Sequence, residues 1–186
     1  MATDLVPDGS PSRLNWRNTV GGGHLLAPPV SAFLESWPSA GLVSVAEIDP
    51  ELADTAAFCE YYGVSPDASA NCVVVTGKRG GEVKYAACMV LATDRADVNG
   101  AVRRLLDVRK ASFAPMAEAV ELTGMEYGGI TPIGLPADWP VLVAAEVAAA
   151  GPVVIGSGLR RSKLMLDGAL LGTLPGAQVV AELSQR

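Results

Sequence analysis

The sequence contains a single histidine, His24, in 186 residues. Ser-His-Asp catalysis, Cys-His catalysis and histidine-based metal sites all need a positioned imidazole. Because His24 lies in a glycine-rich N-terminal segment, we expect it to be a tail residue without such a role. The nucleotide-phosphate motifs GxxxxGK[ST] and GxGxxG are also missing. Any chemistry must therefore come from other groups.

Cysteines and long apolar runs are equally scarce. The three cysteines, Cys59, Cys72 and Cys88, are widely spaced in apolar surroundings, which is typical of reduced, buried thiols rather than of disulfides or zinc ligands. No apolar run approaches the roughly 18 residues of a membrane span. The first residues lack the basic and apolar regions of a signal peptide. We therefore expect a cytoplasmic protein that does not associate with a membrane.

Basic residues are absent between residues 18 and 77, where there are seven carboxylates; residues 78–186 contain 12 basic and 11 acidic residues. With a net charge of −6, the chain is too acidic for a general nucleic-acid binder, so we do not expect a DNA partner. Contact with one short anionic segment is compatible with two local basic clusters. These clusters are Arg103, Arg104, Arg109 and Lys110, then Arg160, Arg161 and Lys163.

The pattern of elements predicts a flexible arm over residues 1–30 and one domain over residues 31–186. Strands outnumber helices, and tight turns join most neighbouring strands. Gly80 and Gly81 are expected to form the turn of a hairpin. This order predicts a mixed α/β fold with an antiparallel or mixed sheet rather than a doubly wound parallel sheet.

The most unusual segment is GMEYGGITPIGLP, residues 124–136. It holds four glycines and two prolines in thirteen residues, with one charge. Such a loop can contribute chemistry only through its backbone N–H groups and its shape. An ordinary tight surface turn would have the same composition.

An ordered set of segments resembles the YbaK/EbsC family, the free-standing relatives of the editing domain of prolyl-tRNA synthetases. The matching segments are SANCVVVTG, YAACMVLATDRADVN, RKASFAP, ELTGMEYGGITPIGLP, WPVLV and VIGSGLRRSKLML. The resemblance implies an α/β fold with a central, mixed, partly barrel-like sheet flanked by helices. It also implies hydrolysis of the ester of mischarged aminoacyl-tRNA, an editing reaction that supports translation fidelity, with no metal or organic cofactor.

The resemblance further implies a set of site residues. The GxxxP loop would frame the ester, with catalytic positions Gly128, Gly129, Ile130, Thr131 and Pro132. The positions that would bind substrate are Asn71, Gly134, Gly156, Gly158, Arg160 and Lys163. The attacking group would be a water, the substrate 2′-hydroxyl or the misacylated side chain, so no protein nucleophile is required.

Two positions depart from the family pattern. Asn71 occupies the place of a strand lysine in catalytically studied members, and Ala144 stands where an Asp is common, with Glu146 two residues on. Lys163 or Lys110 could supply the missing cation only if the fold brings one of them to the pocket.

Three functions are therefore left open by the sequence. The first is an aminoacyl-tRNA deacylase that contacts the tRNA acceptor end, with or without a synthetase acting in trans. The second is a non-catalytic module that binds tRNA ends, a nucleotide or an amino acid. The third is a hydrolase for another small ester.

Overall fold

The computed structural model describes residues 13–186. Its strands are β1 (Arg17–Asn18), β2 (Ser44–Glu47), β3 (Ala70–Arg79), β4 (Glu82–Leu91), β5 (Arg95–Ala96), β6 (Lys110–Phe113), β7 (Val141–Ala144), β8 (Pro152–Gly156), β9 (Ser162–Asp167), β10 (Ala177–Val180) and β11 (Ser184–Gln185). Its α-helices are α1 (Pro28–Ser36), α2 (Thr55–Tyr62), α3 (Arg103–Leu105), α4 (Met116–Thr123), α5 (Ala145–Ala148) and α6 (Gly168–Leu171). No helix in this part of the chain is long and apolar enough to cross a membrane.

The strands form two main sheets. A five-stranded mixed sheet has the order β10-β7-β4-β3-β6, with β7 parallel to both β4 and β10. A four-stranded antiparallel sheet has the order β1-β2-β9-β8, and β5 pairs with β11 separately. The mixed α/β class is confirmed. The sheet is not closed into a barrel, because the end strands β6 and β10 each pair on one side only within residues 13–186.

The β3–β4 hairpin forms the centre of the larger sheet. Its ten residue pairs run from Ala70↔Leu91 to Arg79↔Glu82. The predicted turn is confirmed: Gly80 and Gly81 have φ of 57° and 84°, a backbone conformation that favours glycine. The last six residues of β4 are all buried, because neighbouring strands pair on both sides and other elements cover the sheet.

The segment before β2 is packed against the domain where it is described. Residues 1–12 of the predicted arm lie outside the described residues. Leu25, Leu26 and Val30 are buried in the main core, and α1 begins at Pro28, before the expected boundary at residue 30. His24 lies in a short 3₁₀ helix with an exposed side chain, and its carbonyl accepts a hydrogen bond from Arg161 Nη2 at 2.6 Å.

Candidate functional site

A cavity of about 490 Å³ lies where the two main sheets meet. The parallel bridge between Ser69 and Val154 joins the sheets at this place. The cavity wall contains the start of α2, the first half of β3, the end of β6, the loop after α4 and the end of β8. Its lining residues include Ala53, Asp54, Thr55, Ala70, Asn71, Cys72, Phe113, Met116, Ala119, Tyr127, Gly128, Ile130, Gly156 and Lys163.

The two glycine-rich loops pack against each other through their backbones. The Gly158 N–H donates to Gly129 O at 2.7 Å, and the Glu126 N–H donates to Gly158 O at 2.8 Å. A Cβ added at Gly156 would lie 2.5 Å from Gly129 O and 2.6 Å from Ile130 O. Glycine is therefore required at position 156 because the backbones approach too closely for a side chain.

Only two of the five expected catalytic positions, Gly128 and Ile130, line the cavity. Their N–H groups make no hydrogen bond with the described residues, so they are available as donors. The Gly129 N–H instead donates to Glu126 O at 3.0 Å. A donor already bound within a turn is poorly placed for a substrate carbonyl, so the N–H donors expected from this loop are fewer than its sequence suggests.

The remaining loop residues lie behind the cavity wall. Thr131 is fully buried, and its hydroxyl has no hydrogen-bond partner in residues 13–186. Pro132 is buried next to it. A Cβ at Gly134 would lie 2.9 Å from the backbone nitrogen of Val30, so Gly134 allows α1 to approach the loop. These residues shape the loop without lining the cavity.

Asn71 lines the cavity from β3 and is held by a residue that the sequence analysis did not identify. Thr55, the first residue of α2, donates its hydroxyl to Asn71 Oδ1 at 2.6 Å. This bond engages the amide oxygen and leaves the amide N–H groups as donors. Substrate binding through the amide oxygen would need that oxygen to accept from the substrate, whereas here it accepts from Thr55. A Thr at a helix start is an ordinary signal, so only the fold reveals this contact.

Cys72, one of the three cysteines expected to be buried thiols, also lines the cavity. It is half-buried and packs against the main hydrophobic core. Burial raises the pKa of the Cys72 thiol far above its ordinary value. A thiol that stays protonated is a poor nucleophile, so Cys72 contributes shape rather than attack.

Lys163 brings an amine to the cavity from β9. Its side chain is 8% exposed, and Nζ donates to Ala53 O at 3.0 Å and lies 5.2 Å from the centroid of the Phe58 ring. Burial lowers the pKa of Lys163 from 10.5 to about 8; nearby Cys59 opposes the shift, and the Arg160 charge adds to it. An ammonium has three N–H donors, so two remain after the bond to Ala53.

The other lysine considered for this role lies elsewhere. Lys110 is exposed on β6, directly opposite Lys78 in the sheet, and does not line the cavity. The fold therefore selects Lys163 as the lysine that reaches the cavity.

Arg160 lies on the outer side of the glycine loop rather than on the cavity lining. Its guanidinium donates to Pro50 O at 3.1 Å and to Tyr127 O at 3.3 Å, and lies 3.7 Å from Asp54. Its backbone N–H donates to Glu126 Oε2 at 2.7 Å. Gly158 is also behind the wall, against Ala27. Arg160 thus fastens the loop to the segment that precedes α2.

Neither residue at the position of the common Asp lies at the cavity. Ala144 is buried at the end of β7, and Glu146 accepts a hydrogen bond from Ser184 Oγ at 2.9 Å on the surface. Within residues 13–186 no group of three His, Cys, Asp or Glu side chains could hold a metal ion. Besides backbone N–H groups, the polar residues that line this cavity are Asp54, Thr55, Ser69, Asn71, Tyr127 and Lys163.

This geometry defines a small α/β domain whose cavity is framed by glycine backbone and contains one buried lysine. A sequence model of the aminoacyl-tRNA editing domain matches residues 49–173. The chain belongs to the aminoacyl-tRNA editing domain family, which confirms the resemblance seen in the sequence.

Solved structures share this fold. One is a candidate trans-editing enzyme for prolyl-tRNA synthetase, 24% identical, with a TM-score of 0.72 over 86% of this chain and 97% of that chain. Another is the hypothetical protein APE2540, 22% identical, with a TM-score of 0.73 over 84% of this chain and 99% of that chain. No match was found among curated proteins.

Proposed function

We propose that the protein is an aminoacyl-tRNA deacylase that hydrolyses the ester of mischarged tRNA in the cytoplasm. Membership of the editing-domain family supports the substrate class. The observation that carries the proposal is the ammonium of Lys163, which enters the cavity although the family's usual lysine position holds Asn71. A buried cation can stabilise the negative charge that develops on an ester carbonyl oxygen.

The proposed reaction needs no nucleophile from the protein. A water adds to the ester carbonyl carbon, the carbon–oxygen bond to the ribose breaks, and the proton ends on the ribose hydroxyl. Attack by a misacylated Cys or Ser side chain would release a cyclic thioester or ester that water then opens. Attack by the substrate 2′-hydroxyl would instead move the acyl group to that oxygen, from which water still has to release it. Lys163 and the N–H groups of Gly128 and Ile130 donate to the carbonyl oxygen, while Asn71 donates to the substrate.

Small side chains line much of the cavity. Ala53, Ala70, Cys72 and Ala119 contribute little volume of their own, and Ile130 and Val154 limit the space beside them. We propose that the part of the cavity bounded by Ile130 and Val154 accepts a small misacylated residue, such as Ala, Ser or Cys. Such a second site improves selection where binding alone separates similar side chains by only about 1–3 kcal/mol.

The test is hydrolysis of Ala-, Ser- and Cys-charged proline tRNA by the purified protein, with and without the synthetase. Turnover by the natural protein above the spontaneous rate is the expected result. Asn71→Lys is measured alongside it. Because this variant removes the bond from Thr55 and adds a second amine to a cavity that already contains Lys163, we expect slower turnover.

A second candidate is a binding module that retains the cavity without catalysis. The neutral amide at Asn71 favours it, because an amide provides weaker charge stabilisation than an ammonium. Turnover only after Asn71→Lys would support this candidate. Ligand-dependent stabilisation without turnover would support it as well. If neither the natural protein nor Asn71→Lys hydrolyses the charged tRNAs, both proteins are assayed with small esters. This assay tests the third function, hydrolysis of another small ester.

A further inference from the structure

The cavity mouth exposes aromatic rings in a chain that has few of them. Of its ten aromatic residues, only Phe113 and Tyr127 are more than half exposed, at 62% and 56%. Both line the cavity, together with Met116, which is also exposed. Scattered exposed apolar residues need no explanation, but rings gathered at one opening indicate a binding surface.

Both rings are carried by hydrogen-bonded segments of backbone. Phe113 pairs with Val75 at the end of β6, and the following Ala114 N–H donates to Val74 O at 2.9 Å. Tyr127 lies in the loop that Arg160 fastens, where Tyr127 O accepts a hydrogen bond at 3.3 Å. Because the backbone of both segments is already ordered, a flat ligand that stacks on the rings has to order only their side chains.

Positive charge lies along the same strand. Lys110 and Lys78 are directly opposite each other on β6 and β3, an arrangement that like charges disfavour. Neither forms an ion pair with a described residue, and both are exposed. Lys110 is three residues, or about 10 Å, from Phe113. The two residues point to opposite faces of β6, but β6 is a sheet edge, so a chain along that edge can meet both.

Three carboxylates on the segments around the cavity are engaged. Asp54 lies 3.7 Å from the Arg160 guanidinium, and Glu126 accepts from the Arg160 backbone N–H. Glu118 accepts a hydrogen bond from the Tyr85 hydroxyl. Two exposed rings at the mouth and a lysine pair about 10 Å further along the same edge strand fit a ligand that alternates flat bases with phosphates.

We infer that a single-stranded RNA 3′ end lies along β6, with its terminal base stacked on Phe113 and Tyr127 and upstream phosphates at Lys110 and Lys78. This inference rests on the proposed function, because it explains how the acceptor end would present its ester to the cavity. Stacking on aromatic side chains and contacts from lysine are the usual means of recognising unpaired RNA.

The experiment measures binding of a fluorescent, uncharged oligoribonucleotide ending in CCA to the full chain. Phe113→Ala and Tyr127→Ala should each weaken binding about tenfold. Phe113→Tyr should retain affinity and Phe113→Leu should lose it, because only a ring stacks. Val179→Ala, at an exposed position on the opposite sheet edge, is the matched control and should bind as the natural protein does.

Two further measurements separate the ring from the charges. With an oligonucleotide that lacks the 3′-terminal base, Phe113→Ala should have no effect. A variant with Lys78→Gln and Lys110→Gln should lower the slope of log affinity against log salt by about 1.4, or about 0.7 for each phosphate contact. Arg95→Gln, on β5, is the control for charge and should lower the slope far less.

Three results would overturn the inference. The first is unchanged binding by both ring variants. The second is no binding by the natural protein even at low salt. The third is self-association that Phe113→Ala abolishes while RNA does not bind, which would assign this surface to a second copy. If the predicted binding is seen but no charged tRNA is hydrolysed, the deacylase proposal fails while this inference stands.

Discussion

Two walls of the cavity present polar groups of different kinds. On the β3 wall the polar group is the neutral amide of Asn71, held by the Thr55 hydroxyl. On the β9 wall it is the buried amine of Lys163, held by the carbonyl of Ala53. A hydrogen-bonded amide is buried at little cost, whereas burial of the ammonium lowers its pKa to about 8. The cavity therefore presents a neutral hydrogen-bond donor on one wall and a titratable cation on the other.

The largest effect should come from removing the charge of the β9 wall. Lys163→Met should lower kcat/KM for charged tRNA by at least about 100-fold, the usual result of losing one donor to a developing oxyanion. The melting temperature should not fall, because Met removes a charge that is costly to bury.

Lys84→Met is the matched control for Lys163→Met. Lys84 also donates its Nζ to a backbone carbonyl, that of Leu106 at 3.3 Å, but it lies outside the cavity, so kcat/KM should change less than twofold. If Lys163→Met retains full activity, the cation on the β9 wall does not stabilise the reaction. The two walls then do not differ in what they contribute to catalysis.

The next effect concerns the backbone that separates the walls. Gly156→Ala would place a Cβ 2.6 Å from Ile130 O, so the two loops must move apart. We expect about 1–3 kcal/mol of lost stability, as for other overpacked sites, and a tenfold or larger loss of kcat. Urea unfolding and the deacylation assay measure the two changes.

Gly41→Ala is the control for this substitution, because a Cβ there meets nothing within 4 Å. It should change stability by about 0.5 kcal/mol or less, as surface substitutions usually do. Equal effects of the two substitutions would show that the close approach of the loops is not needed.

Much of this architecture could be predicted from the sequence because it depends on local rules. The glycine pair at residues 80–81 predicts the central hairpin. Gly63 and Gly124 end α2 and α4 in the left-handed conformation, a common role of glycine after a helix. The order of the family segments likewise predicts the cavity region, because those segments meet in the fold.

The individual contacts could not be predicted, because they join residues far apart in the chain. Thr55 and Asn71 are 16 residues apart, and Lys163 meets Ala53 across 110 residues. Nothing local distinguishes Lys163, which reaches the cavity, from Lys110, which does not. The sequence likewise could not show that the Gly129 N–H group is bound within its own turn.

A smaller effect tests how the β3 wall is held. Thr55→Val removes the hydroxyl that donates to Asn71 Oδ1 at 2.6 Å and preserves side-chain volume. The amide can then rotate, so we expect kcat/KM to fall about three- to tenfold and stability to change by about 1 kcal/mol. Thr55→Ser keeps the hydroxyl and should restore most of the activity. An equal loss in both variants would show that the Thr55 methyl group, rather than the hydrogen bond, is what matters.

The smallest effect is the dependence of stability on pH, which compares the walls directly. The pKa of Lys163 is about 8 in the folded protein and 10.5 as its ordinary value, so the unfolded chain binds more protons between these values. Stability relative to Lys163→Met should therefore rise with pH in this window, by about 1 kcal/mol between pH 8 and pH 9.

The raised pKa of Cys59 acts in the opposite direction, because the unfolded thiol loses its proton first. Subtracting the unfolding free energy of Lys163→Met at each pH removes most of this contribution. Asn71→Ala should show no such pH dependence when compared in the same way, since an amide does not titrate. A flat difference for Lys163→Met would mean that its amine keeps an ordinary pKa and is hydrated rather than buried, so the two walls would not differ in the cost of their polar groups.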